Sequence, residues 1–155
     1  MDFYGLSCIY DSYTGRLQCY TNVNGTYKKT VDAYGYSGRG EGKNNPRLQD
    51  VRDVGPIPEG FWTMKSVQQT PTQVSIWLEP YPGSPVFNFD RDPMSFLIHG
   101  DYKDPKKKGK ASKGCPIFDK EYRDKIAEQL GETFIVISSQ PSQTWQDLIG
   151  IGKTN

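Results

Sequence analysis

Turn-forming residues recur along this chain at short intervals and limit most of it to short strands joined by turns. The chain has 16 glycines and 11 prolines among its 155 residues. The segments between them are rich in aromatic and β-branched residues, which fit a pleated sheet better than a helix. The pattern therefore predicts a mainly β fold.

Alternating apolar positions and turn signals predict roughly eight short strands and one helix. The Asn24-Gly25 dipeptide is the strongest hairpin signal in the chain. The helix is predicted over Asp119–Leu130, with Asp119 as its N-cap and Gly131 as its stop. Seven of these strands have bounds that the pattern defines, namely Cys8–Asp11, Leu17–Thr21, Tyr27–Tyr36, Phe61–Val67, Val74–Leu78, Phe96–Ile98 and Thr133–Ser138.

Length and charge restrict both the domain organisation and the partners. A chain of 155 residues fits one domain, because two separate cores would each be marginal. We expect one catalytic domain over residues 1–155, with its core in about residues 5–140 and an irregular tail from Gln140.

A net charge of +1 gives no field that would draw the protein onto nucleic acid or anionic membranes. No apolar run approaches the roughly 20 residues of a spanning helix, so we expect no nucleic-acid binding and no membrane insertion.

The three cysteines separate into a pair and a single residue. Cys8 and Cys19 flank a turn-like segment, Asp11–Gly15, on two strands that should pair. They can form a disulfide or fill a hydrophobic face as free thiols. The segment Met1–Tyr10 lacks the basic and apolar regions of a Sec signal peptide, so we expect synthesis in the cytoplasm, which favours free thiols. Cys115 stands apart in a glycine-rich context.

Two other kinds of site are disfavoured by the motifs. Gly38, Gly40 and Gly42 alternate in a glycine-rich loop, which matches neither the GxGxxG nor the P-loop pattern. Zinc is a poor alternative as well, because one histidine and one cysteine cannot complete a four-ligand site without carboxylates. We expect no cofactor.

The strongest candidate for chemistry combines Cys115 with His99, the only histidine in the chain. A short apolar strand ends at His99, and Gly114 precedes the cysteine, where a substrate carbonyl can approach the backbone. An imidazole within reach can take the thiol proton, and an ion pair then favours the thiolate. The amides of Gly114 and Cys115 are candidates for an oxyanion hole. Taken singly, a histidine or a cysteine is more often structural.

The sequence alone does not decide the roles of the polar residues near His99 and Cys115. Lys113 would favour the thiolate if its ammonium pointed inward, and Asp101 either orients His99 or serves only its loop. The lysines of the loop are most simply a solvated surface, with contact to substrate carboxylates as the functional alternative. They are Lys106, Lys107, Lys108, Lys110 and Lys113.

The motifs resemble those of the L,D-transpeptidases. In that family a histidine precedes a [Ser/Thr]-His-Gly-Cys box by an interval similar to that between His99 and Cys115. Papain-like and NlpC/P60 enzymes have the cysteine before the histidine, so the chain order disfavours them. Residues 5–140 look closest to the L,D-transpeptidase-like toxic effectors (Tlde) of type VI secretion systems. This likeness is carried by the opening hairpin Tyr10–Tyr20 and the run YSGRGEGKNNP, VGPIPEGFWTM, FLIHGD and SKGCPIF.

The resemblance implies an L,D-transpeptidase-like β-sandwich with one helix after the cysteine. It implies Cys115 as nucleophile and His99 as base. Lys113 replaces the second histidine of the box, and Pro116-Ile117-Phe118 occupies the place of an arginine or asparagine that is common in the family. The other implied site residues are Gly100, Ser112 and Gly114 in the catalytic motif, and Lys113, Asp101 and Tyr102 toward the substrate.

The activity that the resemblance implies is acyl transfer on peptidoglycan tetrapeptide stems, as an L,D-carboxypeptidase, an L,D-transpeptidase or both. Such an effector would act in the periplasm of a target bacterium. Its partners would be a cognate immunity protein and a component of the secretion apparatus. Two alternatives stay open, namely a cysteine peptidase of other specificity and a non-catalytic β domain that binds cell wall or protein.

Overall fold

The computed structural model describes residues 6–71, 73–128 and 132–139 of the chain. Buried and more exposed side chains alternate along its first two strands, as in a sheet that covers a core with one face. Within these residues seven strands form one hydrogen-bonded sheet in the order β3-β2-β1-β7-β4-β5-β6. One helix, α1, spans Lys120–Ala127. The mainly β class with a single helix is therefore confirmed. The strands are β1 Leu6–Asp11, β2 Arg16–Val23, β3 Thr26–Tyr34, β4 Gly60–Gln69, β5 Val74–Pro80, β6 Leu97–Ile98 and β7 Thr133–Ile137.

The N-terminal half folds as the local sequence predicts. Strands β1 and β2 pair antiparallel, and β2 pairs antiparallel with β3. Asn24 and Gly25 join β2 to β3 with φ angles of 54° and 83°. Both residues lie in the left-handed region that a two-residue hairpin of this kind requires. The predicted hairpin is confirmed.

Of the two arrangements that the sequence left open for Cys8 and Cys19, the structure has the disulfide, against the preference for free thiols. The two residues are direct partners across the β1–β2 ladder, and their sulfur atoms form a disulfide. Both side chains are fully buried in the core. Cys8 and Cys19 face each other across the antiparallel pair, with 4.0 Å between their Cα atoms. The pairing of the two strands therefore brings the two cysteines close enough to form the bond.

Strand β7 joins the two halves of the sheet. It runs parallel to β1 on one side and antiparallel to β4 on the other. Helix α1 contacts both β3 and β5, which lie toward opposite ends of the strand order. One helix can reach both ends only if the sheet curls around it, and this curvature gives the layered arrangement that the resemblance implies.

One core fills the space inside this curved sheet. Tyr10 stacks on Phe134 at 5.9 Å between ring centroids and meets the edge of Phe118 at 5.7 Å. Trp62 packs edge-on against Phe96 at 5.2 Å and donates its indole hydrogen to the Pro58 carbonyl. These aromatic contacts fix the proline-rich turn and the start of β6 on a rigid support.

The helix begins where the sequence predicts it and is assigned as far as Ala127. It begins one residue after Asp119, which lies at the N-cap position without a side-chain capping bond. The predicted ending at Leu130 and Gly131, and the irregular tail from Gln140, lie outside the described residues. No helix among the described residues is both long and apolar enough to cross a bilayer.

Candidate active site

The backbone brings His99 and Cys115 to neighbouring positions. The His99 amide donates to the Pro116 carbonyl at 3.1 Å, and the Phe118 amide donates to the His99 carbonyl at 3.1 Å. These bonds form a short parallel bridge between His99 and Ile117. The segment that follows Cys115 is thus held beside His99, which comes directly after β6. The side chains of His99 and Cys115 line one cleft.

The imidazole of His99 is held in one tautomer. Its Nδ1 atom lies 2.9 Å from the Gly100 carbonyl oxygen. Because a carbonyl only accepts, Nδ1 carries the hydrogen and Nε2 is left as the proton acceptor. Burial lowers the pKa of His99, and the positive charge of Arg123 lowers it further. The ring is therefore neutral and ready to act as a base near neutral pH.

Arg123 belongs to α1 and supports this part of the site from behind. Its guanidinium donates to the carbonyls of Phe118 and Val74 at 3.0 and 2.6 Å. A Cβ atom at Gly100 would lie 2.7 Å from Arg123 Nη2. Gly100 is required here because any side chain would displace this buried guanidinium.

A polar network holds the turn Ser112–Cys115, called here the nucleophile turn after Cys115, the candidate nucleophile. The Ser112 hydroxyl donates to the Cys115 carbonyl at 2.6 Å, and it accepts from the amides of Gly38 and Gly114 at 2.8 and 3.0 Å. The Ser37 hydroxyl donates to the Gly114 carbonyl at 2.7 Å. Ser37 and Ser112 are both fully buried, so the network fixes the turn without help from solvent.

This network corrects one expectation about the oxyanion hole. The amide of Gly114 donates to Ser112 Oγ within the turn, so it is not free to face a substrate oxygen. The amide of Cys115 is the backbone donor of the pair that remains for this role. Gly114 instead contributes its backbone shape, with a φ of 137°.

The Cys115 thiol is partly exposed in the cleft. Burial raises the pKa of the Cys115 thiol, while a hydrogen bond from the Leu97 amide and the charge of Arg91 act in the opposite direction. The sulfur atom also lies 3.6 Å from the Ser95 carbonyl oxygen. Together with the lowered pKa of His99, this favours a neutral thiol beside a neutral imidazole in the free protein, rather than the preformed ion pair that the sequence suggested.

The cleft has a volume of about 400 Å³. It has charged residues of both signs beside the two candidate catalytic groups. Its lining residues are Arg52, Asp53, Arg91, Asp92, Ser95, Phe96, His99, Ala111, Lys113 and Cys115. A groove of this size accommodates a short peptide segment and leaves the reacting atoms open to solvent on one side.

The structure separates the residues predicted to face the substrate. Lys113 lines the cleft and is exposed. Asp101 and Tyr102 are not among the cleft-lining residues. The Asp101 carboxylate accepts from the amides of Tyr102 and Gly109 at 2.8 and 2.9 Å, so it closes the lysine-rich loop. The Nδ1 partner of His99 is the Gly100 carbonyl rather than Asp101.

Three supporting residues were not found from the sequence. Arg91 lines the cleft beside Cys115, Arg123 lies behind Gly100, and Ser37 holds the Gly114 carbonyl. Each acts on residues distant in sequence. Ser37 lies in the YSGRGEGKNNP run that carries the family resemblance, but that run does not reveal its partner, and no motif of that resemblance includes Arg91 or Arg123. Among the described residues, no group of three or more histidine, cysteine or acidic side chains could hold a metal ion.

Comparisons with known proteins give the fold and family. Similar solved structures include the helical cell shape determining protein Pgp2 from Campylobacter jejuni, with 13% identity and a TM-score of 0.59, covering 91% of this chain and 51% of that one. Bd1075 from Bdellovibrio bacteriovorus has 13% identity and a TM-score of 0.60, covering 97% and 57%. The chain thus spans little more than half the length of these proteins, and at such identities the likeness concerns the fold alone.

A third solved structure shares the fold less closely. It is a fused Zn-dependent amidase/peptidase/peptidoglycan-binding domain-containing protein from Clostridium acetobutylicum, with 10% identity and a TM-score of 0.53, covering 88% of this chain and 54% of that one. No match to a curated protein was found. The profile of the Tlde1 domain matches residues 31–138. This range includes His99, Cys115 and the glycine-rich loop that supports them, and the chain is therefore a member of the Tlde1 domain family.

Proposed function

We propose that this protein is a peptidoglycan-modifying enzyme with Cys115 as its nucleophile, acting on tetrapeptide stems as an L,D-carboxypeptidase, an L,D-transpeptidase or both. The observation that carries the proposal is the meeting of Cys115 and His99 in one cleft of a Tlde1 domain. The imidazole presents Nε2 as a free acceptor, and the thiol is held by a buried turn. The likeness to two cell-wall or cell-shape proteins agrees with a wall substrate.

The proposed reaction is an acyl transfer in two steps. His99 Nε2 takes the proton of the Cys115 thiol as sulfur attacks the carbonyl carbon of the third stem residue, at the L-centre of diaminopimelate. The resulting oxyanion lies at the Cys115 amide, and the Leu97 amide and Arg91 charge stabilise developing thiolate. The imidazolium then gives its proton to the departing D-alanine amine, which leaves a thioester on Cys115.

The second step decides the product. Water attacks the thioester to give a tripeptide, or an amine attacks it to give an exchanged or cross-linked peptide. In both cases His99 removes a proton from the incoming nucleophile, and the thiol is restored. We expect either acceptor to enter from the open side of the cleft, and Lys113, which lines the cleft, is the residue that we propose to bind a stem carboxylate.

The biological setting that we propose is that of an antibacterial effector. The protein would be delivered by a type VI secretion system to the periplasm of a target bacterium, where the stems are exposed. A cognate immunity protein would protect the producer, and a component of the secretion apparatus would carry the toxin. The buried Cys8–Cys19 disulfide agrees with action in an oxidising compartment.

Mass spectrometry of disaccharide-tetrapeptide fragments tests the activity. Wild-type protein and Cys115→Ala are incubated with the fragments, with and without D-methionine. Loss of terminal D-alanine, or its exchange for D-methionine, only in the wild type would support the proposal. Trimming by Cys115→Ala would contradict the mechanism. No change in either sample would favour a binding domain or another peptide substrate.

A matched pair of variants distinguishes loss of the proposed base from loss of the folded structure. His99→Gln keeps a polar side chain of similar reach but cannot act as a base, so product formation should fall by about 10²–10⁴-fold. Lys103→Gln, on the exposed part of the lysine-rich loop, serves as the control and should retain activity. Both variants should show the thermal transition of the wild type.

A further inference from the structure

Arg91 is a buried cation at the wall of the cleft. Its side chain is only 7% exposed. Nη1 donates to the carbonyls of Gln49 and Pro56 at 2.7 and 3.3 Å. Nη2 donates to the carbonyls of Gly55 and Lys113 at 3.2 and 3.0 Å. One guanidinium therefore links three separate stretches of backbone.

This arrangement differs from that of most buried arginines, which pair with a carboxylate. No ion pair to Arg91 is formed among the described residues. Its partners are neutral carbonyls, together with the Phe96 ring at 5.1 Å from the guanidinium carbon. The positive charge is solvated by these groups but not neutralised by them, and it persists beside the cleft.

The contact with Lys113 places this charge directly at the nucleophile turn. Gly114 packs against the same guanidinium so closely that a Cβ atom at this position would clash with Arg91 Nη2. The Gly55-Pro56 turn accepts from both terminal nitrogens of the same guanidinium, and the backbone of this turn is buried and fixed by proline. The turn carrying Cys115 is thus tied to a rigid part of the fold through one side chain.

We propose that Arg91 is the positioning residue of the nucleophile turn, which anchors Lys113–Cys115 to the Gly55-Pro56 turn and sets a lasting positive charge beside the Cys115 sulfur. The inference rests on the proposed function, because it assigns a role relative to Cys115 as nucleophile. Four of the five guanidinium hydrogens are committed to backbone carbonyls. Arg91 therefore acts through the turn and its charge, and it does not hold a substrate carboxylate.

The charge has a defined effect on the thiol. Burial raises the pKa of the Cys115 thiol, and the charge of Arg91 lowers it, so Arg91 offsets part of the cost of forming a thiolate in the cleft. The other charged or titratable side chains that line the cleft are Arg52, Asp53, Asp92, Lys113 and His99. Asp53 and Asp92 oppose the effect of the cations, and they are exposed to solvent, which screens their contribution.

Alkylation of Cys115 by iodoacetamide tests the charge without any peptide substrate. With Cys8 and Cys19 in a disulfide, Cys115 is the one free thiol of the three cysteines, and Cys115→Ser gives the blank. The rate is followed from pH 5.5 to 10 by intact mass for wild type, Arg91→Met and Arg91→Lys. Arg16→Met is the control, since Arg16 is a partly exposed arginine on β2 that pairs with Asp32 and is not among the residues that line the cleft.

The expected results separate charge from anchoring. Arg91→Met should move the alkylation midpoint upward by about one pH unit and slow the reaction at pH 7 by about tenfold. Arg91→Lys keeps the charge, so its profile should stay near that of wild type. An ammonium cannot bridge the same carbonyls in a planar fork, so the kcat of Arg91→Lys on tetrapeptide should fall by about tenfold or more with little change in KM.

Two outcomes overturn the inference. The first is an unchanged alkylation profile in Arg91→Met protein that retains the wild-type circular dichroism and thermal transition. The second, which applies if Arg91→Met does not fold, is an Arg91→Lys protein whose kcat on tetrapeptide equals that of the wild type. A shifted profile in a protein that does not process tetrapeptides would leave the role of Arg91 standing and reject the proposed substrate. Turnover of tetrapeptides through Cys115, together with an unchanged alkylation profile in Arg91→Met, would support the proposed substrate and reject the role of Arg91.

Discussion

Ser112 donates its hydroxyl hydrogen to the backbone carbonyl of Cys115 across 2.6 Å, and the same oxygen accepts two amide hydrogens. The serine of the box is therefore a structural centre of the nucleophile turn, because one buried oxygen joins Cys115 to the amides of Gly38 and Gly114. Its place three residues before Cys115 allows its hydroxyl to reach the Cys115 carbonyl and close the turn.

Ser112→Ala should weaken both the fold and the activity. The substitution leaves a buried carbonyl and two buried amides without their partner, which should reduce the free energy of unfolding by about 2–4 kcal/mol. Urea unfolding at pH 7 measures this loss, and tetrapeptide turnover should fall by more than tenfold. Ser66→Ala, at an exposed position of β4, should change neither quantity. Wild-type stability in Ser112→Ala would show that the network contributes nothing.

Gly114→Ala should abolish turnover. The φ of Gly114 is 137°, and a Cβ atom there would meet Arg91 and, at 2.9 Å, the ring of Phe96. Either the guanidinium or the nucleophile turn must move, so kcat on tetrapeptide should fall by about 10²-fold or more. The measurement is steady-state release of D-alanine.

Gly25→Ala separates backbone strain from this clash. Gly25 has a φ of 83° but open space where its Cβ atom would lie. Its replacement should cost about 1 kcal/mol of stability and leave kcat unchanged. Full activity in folded Gly114→Ala would refute the role assigned to this glycine.

The pH dependence of activity should follow the lowered pKa of His99. Burial and the charge of Arg123 hold this pKa below its ordinary value of about 6.5. The ring therefore stays neutral and basic down to mildly acidic pH, and the acid limb of kcat/KM should lie below pH 6.5. Because the folded protein binds this proton less readily than the unfolded chain, the contribution of His99 to stability is present above pH 6.5 and is lost as the pH falls through the lowered pKa.

His99 is the only histidine in the chain, so its ring can be titrated without ambiguity by NMR. In Arg123→Met the ring pKa should rise, because a repelling positive charge is gone. Arg123→Lys retains the charge and should titrate close to wild type. The thermal transition of each variant checks that α1 remains docked. A ring that titrates above 6.5 in the wild type would contradict the assignment of a neutral base.

Reduction of the Cys8–Cys19 disulfide should destabilise the protein and leave the Cys115 thiol unchanged. The bond closes a loop over a sequence separation of 11 residues, and loss of such a cross-link costs about 2–3 kcal/mol. The thermal transition should fall on treatment with dithiothreitol. A Cys8→Ala/Cys19→Ala protein should start at the lower transition and not respond. Thiol counting in denaturant should give one thiol before reduction and three after it, and three before reduction would exclude the bond.

Local chemistry in the sequence determined much of the fold. The Asn24-Gly25 turn, the alternating strands and the position of the helix after Asp119 follow from residues close to one another in the chain. The sequence also proposed His99 and Cys115 as a candidate pair, from a histidine at a strand end, a cysteine after glycine and the resemblance to the L,D-transpeptidase box, and the structure brings both side chains to one cleft.

Tertiary structure alone decided how these groups are held. The Ser37 bond to Gly114 spans 77 positions, and the Arg91 bond to Lys113 spans 22, so no periodicity or motif encodes either contact. The Cys8–Cys19 bond depended likewise on the strand register. Residue types near one another in the chain set turns and strands, whereas the support of a reactive group depends on which distant backbone carbonyls and amides the folded sheet brings within hydrogen-bond distance.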